Sequence, residues 1–320
     1  MKSRRAILVE PKRFEIHEVD VEPGPGQVMV QVGVCGLCNW EMNHWHGKLG
    51  TCPQSIGHEA AGIVAELGAN VTGFAIGDRV TGYGGPGHSE FALYNQDTCF
   101  HLADEVPLGE ALGEPLACIC NVVNGTEPQV GDFGVIVGCG PMGLWAIQAL
   151  AGNTLAGLIA VDVADWKLDF AKQFGASHTI NPKSEDAVAR IREITGGHMA
   201  DFVIEGTGVP AVIQQGMSYL RGRRGRLSLM SAHEEVGPAF DWQPMIAAGH
   251  QIRATHPGWS MDNKDDLRRA ILLLNQRVFR SDQIISHRFP LENIQEAFET
   301  VENKPPDFLK GVVIPNVLPD

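Results

Sequence analysis

The sequence has few basic residues and no long apolar run, and these two absences exclude several classes of partner. Its 320 residues include 25 Lys and Arg against 38 Asp and Glu, which gives a formal net charge of -13. Nucleic acids and anionic membranes bind basic patches, so neither is an expected partner. No apolar run approaches the roughly 18 residues that a membrane-spanning helix needs.

The sequence also lacks a cysteine pattern typical of a disulfide scaffold. Its seven cysteines are odd in number, and a chain of this length can bury a core without disulfides. We therefore expect free thiols or metal ligands in a cytoplasmic protein. The run Ala6-Ile-Leu-Val9 is too short for the apolar part of a secretory signal, and Glu10 follows it at once.

Two regions of different pattern follow one another, and the length also suggests two domains. The first third has short β-like runs between turns such as Pro23-Gly-Pro-Gly26, which predicts a small β-barrel. The middle alternates apolar runs with amphipathic stretches, which predicts parallel strands covered by helices. The basic cluster Arg221-Gly-Arg-Arg-Gly-Arg226 is interpreted as a turn entering a strand, with a phosphate contact as the alternative. The candidate strands and helices are 28–32, 61–65, 78–80, 135–137, 142–151, 158–161, 168–174, 201–204, 226–230, 291–300 and 311–314.

The middle region carries a candidate dinucleotide site. Gly138-Cys-Gly140-Pro-Met-Gly143 fits G-x-G-x-x-G between a predicted strand and a predicted helix, and Asp162 ends the next strand. Asp162 would accept hydrogen bonds from ribose hydroxyls and repel a 2′-phosphate, which favours NAD over NADP. An ordinary strand–helix–strand unit with a glycine turn is the alternative. The candidate cofactor-binding residues are Gly138, Gly140, Pro141, Met142, Gly143, Asp162 and Lys167.

The first third carries candidate metal ligands. Cys38, His58 and Glu59 lie close in sequence, and Glu114 lies further on. Zinc binds cysteine sulfur, histidine nitrogen and carboxylate oxygen, and a catalytic site keeps one position exchangeable. The spacing of these residues does not by itself distinguish ligands from ordinary polar side chains.

Several segments, in this order, resemble the zinc-containing medium-chain dehydrogenase family, which includes polyol, alcohol, threonine and sugar dehydrogenases. The resemblance covers nearly the whole chain. The segments are Val34-Cys-Gly-Leu-Cys38, Gly57-His-Glu59-Ala-Ala-Gly62, Gly77-Asp-Arg-Val80, Glu114-Pro-Leu-Ala117, the glycine fingerprint and Ser286-His-Arg-Phe-Pro-Leu291. The resemblance implies an α/β chain with a GroES-like β-barrel domain over 1–120 and 284–320. A Rossmann doubly wound parallel sheet would occupy 121–283.

The same resemblance implies a zinc-dependent enzyme. Cys38 and His58 match the thiolate and imidazole ligands, and Glu114 matches the ligand of the polyol branch. Glu59 would be either a ligand that replaces water or a carboxylate beside the metal. With zinc polarising the substrate oxygen, a hydride would pass between NAD and the carbinol carbon of a polyol, sugar, cyclitol or secondary alcohol. The family also implies a homodimer or homotetramer.

The chain departs from the family pattern in its proton path. Relatives carry Ser or Thr where this chain has Trp40, and a histidine where it has Asn43. The family aspartate is Glu41 here, and we expect it to pair with Lys310. The alternative proton carriers are His44, His46 and Glu59.

A second departure concerns the number of metals. Many relatives carry four cysteines that hold a structural zinc after the segment matching Asp78-Arg-Val80. Here Thr81-Gly-Tyr-Gly-Gly-Pro-Gly-His88 runs into Ser89-Glu-Phe91 without a cysteine. We therefore predict one zinc per chain. The cysteines expected in the core are Cys35, Cys118 and Cys120.

The substrate pocket is less well determined by the sequence. The aromatic candidates are Trp40, Trp45 and Trp259, with core packing as the alternative. The candidate donors to substrate hydroxyls are His44, His46, His88 and His256, with solvated loop positions as the alternative for His44 and His46.

Three other functions remain open at this point. A zinc-free reductase of the same superfamily would use NADPH on quinones or enones and would not need the metal ligands. A non-catalytic NAD-binding redox sensor would tolerate the loss of the hydroxyl at Trp40. A structural zinc knuckle of Cys35 and Cys38 would need a second ligand pair, which is missing at a suitable spacing.

Overall fold

The structure is a computed structural model, and it describes residues 1–232, 237, 240–255 and 259–319. The chain divides into two compact units, Met1–Ala117 with Leu267–Asp320, and Cys118–Asp266. The domain limits implied by the family resemblance, 1–120 with 284–320 and 121–283, stay predictions. The candidate donor His256 lies outside the described residues.

The first unit is built mainly of β-strands. Its first two strands form an antiparallel pair, and six others form one sheet in the order β13-β14-β3-β4-β5-β6. A further pairing of β3 with β6 closes four strands into a barrel, as predicted. Its strands are β1 (Lys2–Glu10), β2 (Arg13–Asp20), β3 (Gln27–Gly36), β4 (Glu59–Leu67), β5 (Arg79–Gly85), β6 (Phe91–His101), β13 (Ile285–Pro290) and β14 (Lys310–Ile314).

Helix α9 (Ile294–Asn303) packs against β2, β13 and β14. Phe14, Trp45 and Phe298 form an aromatic cluster with ring centroids 4.8 to 5.8 Å apart. Trp45 is 1% exposed, so it belongs to the core rather than to a substrate pocket. The helices that begin in this unit or lie within it are α1 (Met42–Trp45), α2 (Gly113–Thr126) and α9 (Ile294–Asn303).

The second unit has a six-stranded parallel sheet in the order β12-β11-β10-β7-β8-β9. Its central strands are apolar and buried, as parallel strands covered on both faces must be. The strands are β7 (Phe133–Val137), β8 (Gly157–Val161), β9 (His178–Ile180), β10 (Phe202–Glu205), β11 (Arg226–Leu229) and β12 (Gln251–Ala254). The helices are α3 (Pro141–Leu150), α4 (Asp165–Gln173), α5 (Ala187–Ile194), α6 (Pro210–Ser218), α7 (Trp242–Ala248) and α8 (Asn263–Asn275), the last of which runs on into the first unit.

The predicted combination of a β-barrel with a doubly wound parallel sheet is confirmed, and the basic cluster is a turn that leads into β11 at Arg226. Helix α2 was not predicted, because the sequence was interpreted there only as a motif followed by an apolar segment. In the part of the chain that the structure describes, no helix has the length and apolarity needed to cross a membrane.

Candidate active site

Cys38 lies just after β3, where the chain turns through one short helical segment, Asn39–Glu41. The sulfur of Cys38 accepts the backbone N–H of Trp40 at 3.4 Å, and the Glu41 side chain accepts the Cys38 N–H at 3.4 Å. This reciprocal cap fixes both side chains on one turn. An N–H directed at sulfur also favours the thiolate form that a metal binds.

His58 and Glu59 are placed by a tight approach of two backbone segments. Gly57 has φ +109, and a Cβ there would lie 2.4 Å from the backbone nitrogen of His88. Only glycine fits this position, since it has neither the side chain nor the conformational penalty. Glu59 then begins β4, paired with Gly36 at the end of β3. The strand pairing therefore brings Glu59 beside the turn that carries Cys38.

These residues converge on one point. Metal-binding atoms of Cys38, His58 and Glu59 all lie within 4.8 Å of one another. Glu114, in the first turn of α2, has its Oε2 atom 3.9 Å from Nε2 of His58. The four predicted ligands thus come together from three separate parts of the sequence.

Glu41 orients the histidine of this cluster. Its carboxylate is 1% exposed and lies 3.0 Å from Nδ1 of His58 and 3.2 Å from Nε2 of His88. Burial opposes its charge, but the two histidines hold the pKa of Glu41 well below its usual range. An anionic acceptor at Nδ1 keeps the proton there and directs Nε2 of His58 toward a metal.

The charge around His58 is strongly negative. Desolvation opposes a charged ring, but Glu41 and the Cys38 sulfur raise the pKa of His58 to about 12. Desolvation and the Glu59 carboxylate raise the pKa of the Cys38 thiol, whereas His58 and Lys310 lower it. A set of carboxylates, a thiol and an imidazole at this spacing matches what zinc binds, and a divalent cation would neutralise its field. The residues present therefore fit a zinc ion.

Lys310 has a different partner from the expected one. Its ammonium lies 2.6 Å from Glu59 Oε2, whereas the contacts of Glu41 are with the two histidines. Lys310 also donates to the Leu37 carbonyl at 3.1 Å, and it begins β14. A Cβ on Gly36 would stand 1.9 Å from Glu59 Oε2, so this pair also depends on a glycine. The buried ion pair therefore fixes the position of the Glu59 carboxylate at the edge of the cluster.

A cavity of about 430 Å³ opens beside His58 within the first unit. Its wall includes Arg5, Glu41, His44, Gln54, Ser55 and His58.

Some of the predicted substrate residues lie elsewhere. His46 Nε2 is 2.8 Å from Glu302 and is not in the cavity wall. His88 is fully buried and hydrogen-bonded to Glu41, so it is not available to a substrate hydroxyl. The side chain of Trp40 is 45% exposed. Trp259 belongs to the second unit, where it packs close to Gly125.

The glycine fingerprint has the predicted geometry. Gly138 has φ +95, and α3 begins at Pro141 with Gly140 before it. Among the described residues no side chain caps this helix end, so its first N–H groups are available to an anion. A Cβ on Gly143 would lie 1.9 Å from the Gly138 carbonyl oxygen, whereas a Cβ on Gly140 would meet open space.

Asp162 ties this turn to the next helix. Its carboxylate accepts the Cys139 N–H at 2.7 Å and the Ala164 N–H at 2.9 Å. Lys167 lies in α4, with its ammonium 5.3 Å from the centre of the Trp166 ring. The acid that follows β8 therefore stands at the glycine turn, where a bound dinucleotide would place its ribose.

Of the three cysteines expected in the core, Cys35 and Cys120 are buried and Cys118 is half-buried. Sequence reasoning missed the role of His88 and gave Lys310 the wrong partner. No local pattern marks either residue, because each meets its partner from a distant part of the sequence.

Comparison with known proteins identifies similar dehydrogenases. A family model described as "Alcohol dehydrogenase GroES-like domain" matches residues 24–139, and one described as "Zinc-binding dehydrogenase" matches residues 141–275. The chain is 28% identical to a 2-dehydro-3-deoxy-L-galactonate 5-dehydrogenase of Pseudoalteromonas atlantica, over 94% of this chain and 95% of that protein. It is 28% identical to a sorbitol dehydrogenase of Halalkalibacterium halodurans, over 88% of this chain and 91% of that protein.

A solved dehydrogenase has a similar fold. The crystal structure of 2R,3R-butanediol dehydrogenase from Bacillus subtilis superposes with a TM-score of 0.86 at 24% identity, covering 98% of this chain and 100% of that one. Two matched family models, the relatives and the fold agree with one another. The chain belongs to the zinc-type medium-chain dehydrogenase family.

Proposed function

We propose that this chain is a zinc-dependent dehydrogenase that transfers a hydride between NAD and the carbinol carbon of a polyol, sugar, cyclitol or secondary alcohol. The observation that carries the proposal is the convergence of Cys38, His58 and Glu59 within 4.8 Å, with Glu41 orienting the histidine. The names of the relatives, which include sorbitol and galactonate-derivative dehydrogenases, support a polyhydroxylated substrate.

Each residue of the cluster has a role in this proposal. Zinc supplies Lewis acidity toward a substrate oxygen, and the nicotinamide accepts or gives the hydride. Cys38 and His58 would hold the metal, and Glu114 would complete the set. Glu59, paired with Lys310, would occupy a metal position that water or substrate could also take.

The structure also favours one of the three alternative proton carriers. His44 lines the same cavity as His58, and its Nδ1 atom lies 2.9 Å from Gln54 Oε1. His46 and Glu59 are already held by Glu302 and Lys310. We therefore propose His44 as the group that exchanges the substrate proton with solvent, in the place of the missing hydroxyl at Trp40.

The dinucleotide would bind at the turn of Gly138, Gly140 and Gly143, with Pro141 and Met142 in the first turn of α3. Asp162, with Lys167 nearby on α4, would receive the ribose, and the carboxylate favours NAD over NADP. One zinc per chain, assembly as a homodimer or homotetramer, and a cytoplasmic location belong to the same proposal.

Metal content tests the proposal directly. Elemental analysis of the wild-type protein should give about one zinc per chain, and Cys38→Ser should lose it because the thiolate ligand is gone. Cys35→Ala is the matched control, since Cys35 is buried, donates to the Gly36 carbonyl and does not belong to the group of Cys38, His58 and Glu59. The control should keep its zinc, and the wild-type enzyme should oxidise members of a polyol and sugar panel with NAD.

Other outcomes separate the remaining functions. A metal-replete preparation without zinc that reduces enones with NADPH would identify a zinc-free reductase. Equal loss of zinc from both variants would identify a knuckle of Cys35 and Cys38. About two zincs per chain would reveal a second site.

A further inference from the structure

The cavity beside His58 contains a cation whose charge no described carboxylate neutralises. Arg5 lies on β1, is half-buried, and donates from Nε to Ser89 Oγ at a long 3.5 Å. Among the described residues no carboxylate lies within ion-pair distance of it, and burial lowers the pKa of its guanidinium. A guanidinium stays charged under these conditions and has five donors to satisfy.

The neighbouring arginine, in contrast, has its charge neutralised. Arg4 points to the other face of β1, where it pairs with Glu90 and Glu292. A half-buried charge without a counter-ion costs stability, and an anion bound inside the cavity would offset that cost for Arg5.

The carboxylate that the cavity already contains does not serve as this counter-ion. Both oxygens of Glu41 are engaged, by His58, His88 and the Cys38 N–H. The other polar groups in the wall are His44, Gln54 and the hydroxyl of Ser55, which suit hydroxyl groups of a ligand. A volume of about 430 Å³ is within the range of small-molecule sites.

We propose that Arg5 binds the carboxylate of the substrate, so that the enzyme prefers a hydroxy acid of the sugar-acid class to the corresponding neutral polyol. The planar fork of the guanidinium matches a carboxylate with two parallel hydrogen bonds, which no neutral hydroxyl can reproduce. His58 lines the same wall, so an acid held by Arg5 extends from that anchor toward the proposed zinc site. This proposal rests on the proposed dehydrogenase function.

The test compares acids with polyols of the same carbon skeleton. Zinc-loaded enzyme is assayed with NAD on D-gluconate and sorbitol, D-galactonate and galactitol, and L-threonate and L-threitol. In at least one pair the acid should have the higher kcat/KM. Arg5→Leu should lower the ratio of acid to polyol by about 10- to 100-fold, mainly through KM, as expected for loss of a charge-assisted pair. Arg5→Lys keeps the charge but not the planar fork, so its acid-to-polyol ratio should lie between those of the wild type and Arg5→Leu.

Arg13→Leu is the matched control. Arg13 lies on the adjacent strand β2, is exposed, and pairs with Glu10 and Glu15 away from the cavity. This variant should keep the wild-type ratio. Calorimetric titration of the acids into the enzyme without NAD gives a second readout, and binding should weaken in Arg5→Leu but not in Arg13→Leu.

The possible failures are distinguishable. If the polyols are oxidised and Arg5→Leu leaves every ratio unchanged, Arg5 is not an acid-binding residue, while the dehydrogenase function stands. If neither acids nor polyols are oxidised by zinc-loaded enzyme, the proposed function fails, and the titrations still decide whether Arg5 binds an acid. Absence of acid binding in wild-type enzyme overturns the proposal.

Discussion

The cluster of candidate metal ligands and the glycine turn differ in how many parts of the chain form them. The turn uses one short segment, Gly138 to Gly143, and one acid at the end of the next strand. The cluster gathers residues from the end of β3, the start of β4, α2 and β14. A local motif carries its own geometry, whereas the cluster depends on strand pairing over most of the chain. Substitutions should therefore affect the two regions differently.

The largest effect is expected at the buried ion pair. Lys310→Met removes the partner of the buried Glu59 carboxylate, which should cost about 3–5 kcal/mol of unfolding free energy. Urea denaturation of the metal-free protein measures this cost. The double variant Lys310→Met with Glu59→Gln should recover a large part of it, because the buried charge is then gone.

Lys2→Met provides the control for this substitution. Lys2 pairs with Glu18 and Asp20, but all three side chains are more than half exposed. Its midpoint should stay near that of the wild type, because exposed ion pairs contribute little. Equal midpoints for the two lysine variants would contradict the importance of the buried pair.

Two substitutions in the glycine turn should separate an effect on stability from an effect on NADH binding. Gly143→Ala forces a Cβ to 1.9 Å from the Gly138 carbonyl, which should cost about 1–3 kcal/mol of stability and impair NADH binding. Gly140→Ala places its Cβ in open space, so stability should change by less than about 1 kcal/mol. NADH affinity should nevertheless fall by about tenfold, since the methyl group occupies the approach of the pyrophosphate.

Fluorescence titration with NADH and thermal unfolding distinguish these outcomes. A Gly140→Ala variant with unchanged NADH affinity would mean that the pyrophosphate does not approach this glycine.

Glu41 tests how far the cluster depends on its supporting residues. Glu41→Gln keeps a hydrogen-bond acceptor for His58 but removes the charge, and zinc affinity should fall by about 10- to 100-fold. Competition with a chelator measures it. Glu302→Gln is the control, because Glu302 also accepts from a histidine ring, His46, but lies outside the cluster. Equal zinc affinities in the two variants would mean that Glu41 does not support zinc binding.

The smallest effect is expected at the acid of the dinucleotide turn. Asp162→Ser removes the repulsion of a 2′-phosphate, so the ratio of kcat/KM for NAD to that for NADP should fall by about tenfold. The hydroxyl can still accept the Cys139 N–H, which limits damage to the turn. An unchanged ratio would mean that Asp162 only supports the turn.

The motifs and periodic apolar runs of the sequence predicted both folds. That Cys38, His58, Glu59 and Glu114 lie together was implied only by the resemblance to the family. The sequence did not predict the pairing of Glu59 with Lys310 or of Glu41 with His88. Those contacts join segments that are far apart in the sequence, and a linear pattern does not contain that information. It also did not single out Arg5, because an unneutralised charge is visible only when the surrounding carboxylates have been placed.

Lys310 lies on β14, so its pair with Glu59 can form only after β14 has been synthesised. During synthesis, every residue of the second unit has been made before β14 emerges. Until then Glu59 has no counter-ion, and β3 lacks β14 as its neighbour. Since domains generally fold as units during translation, the second unit can fold first. The first unit, whose two segments flank the second in sequence, is completed only after it.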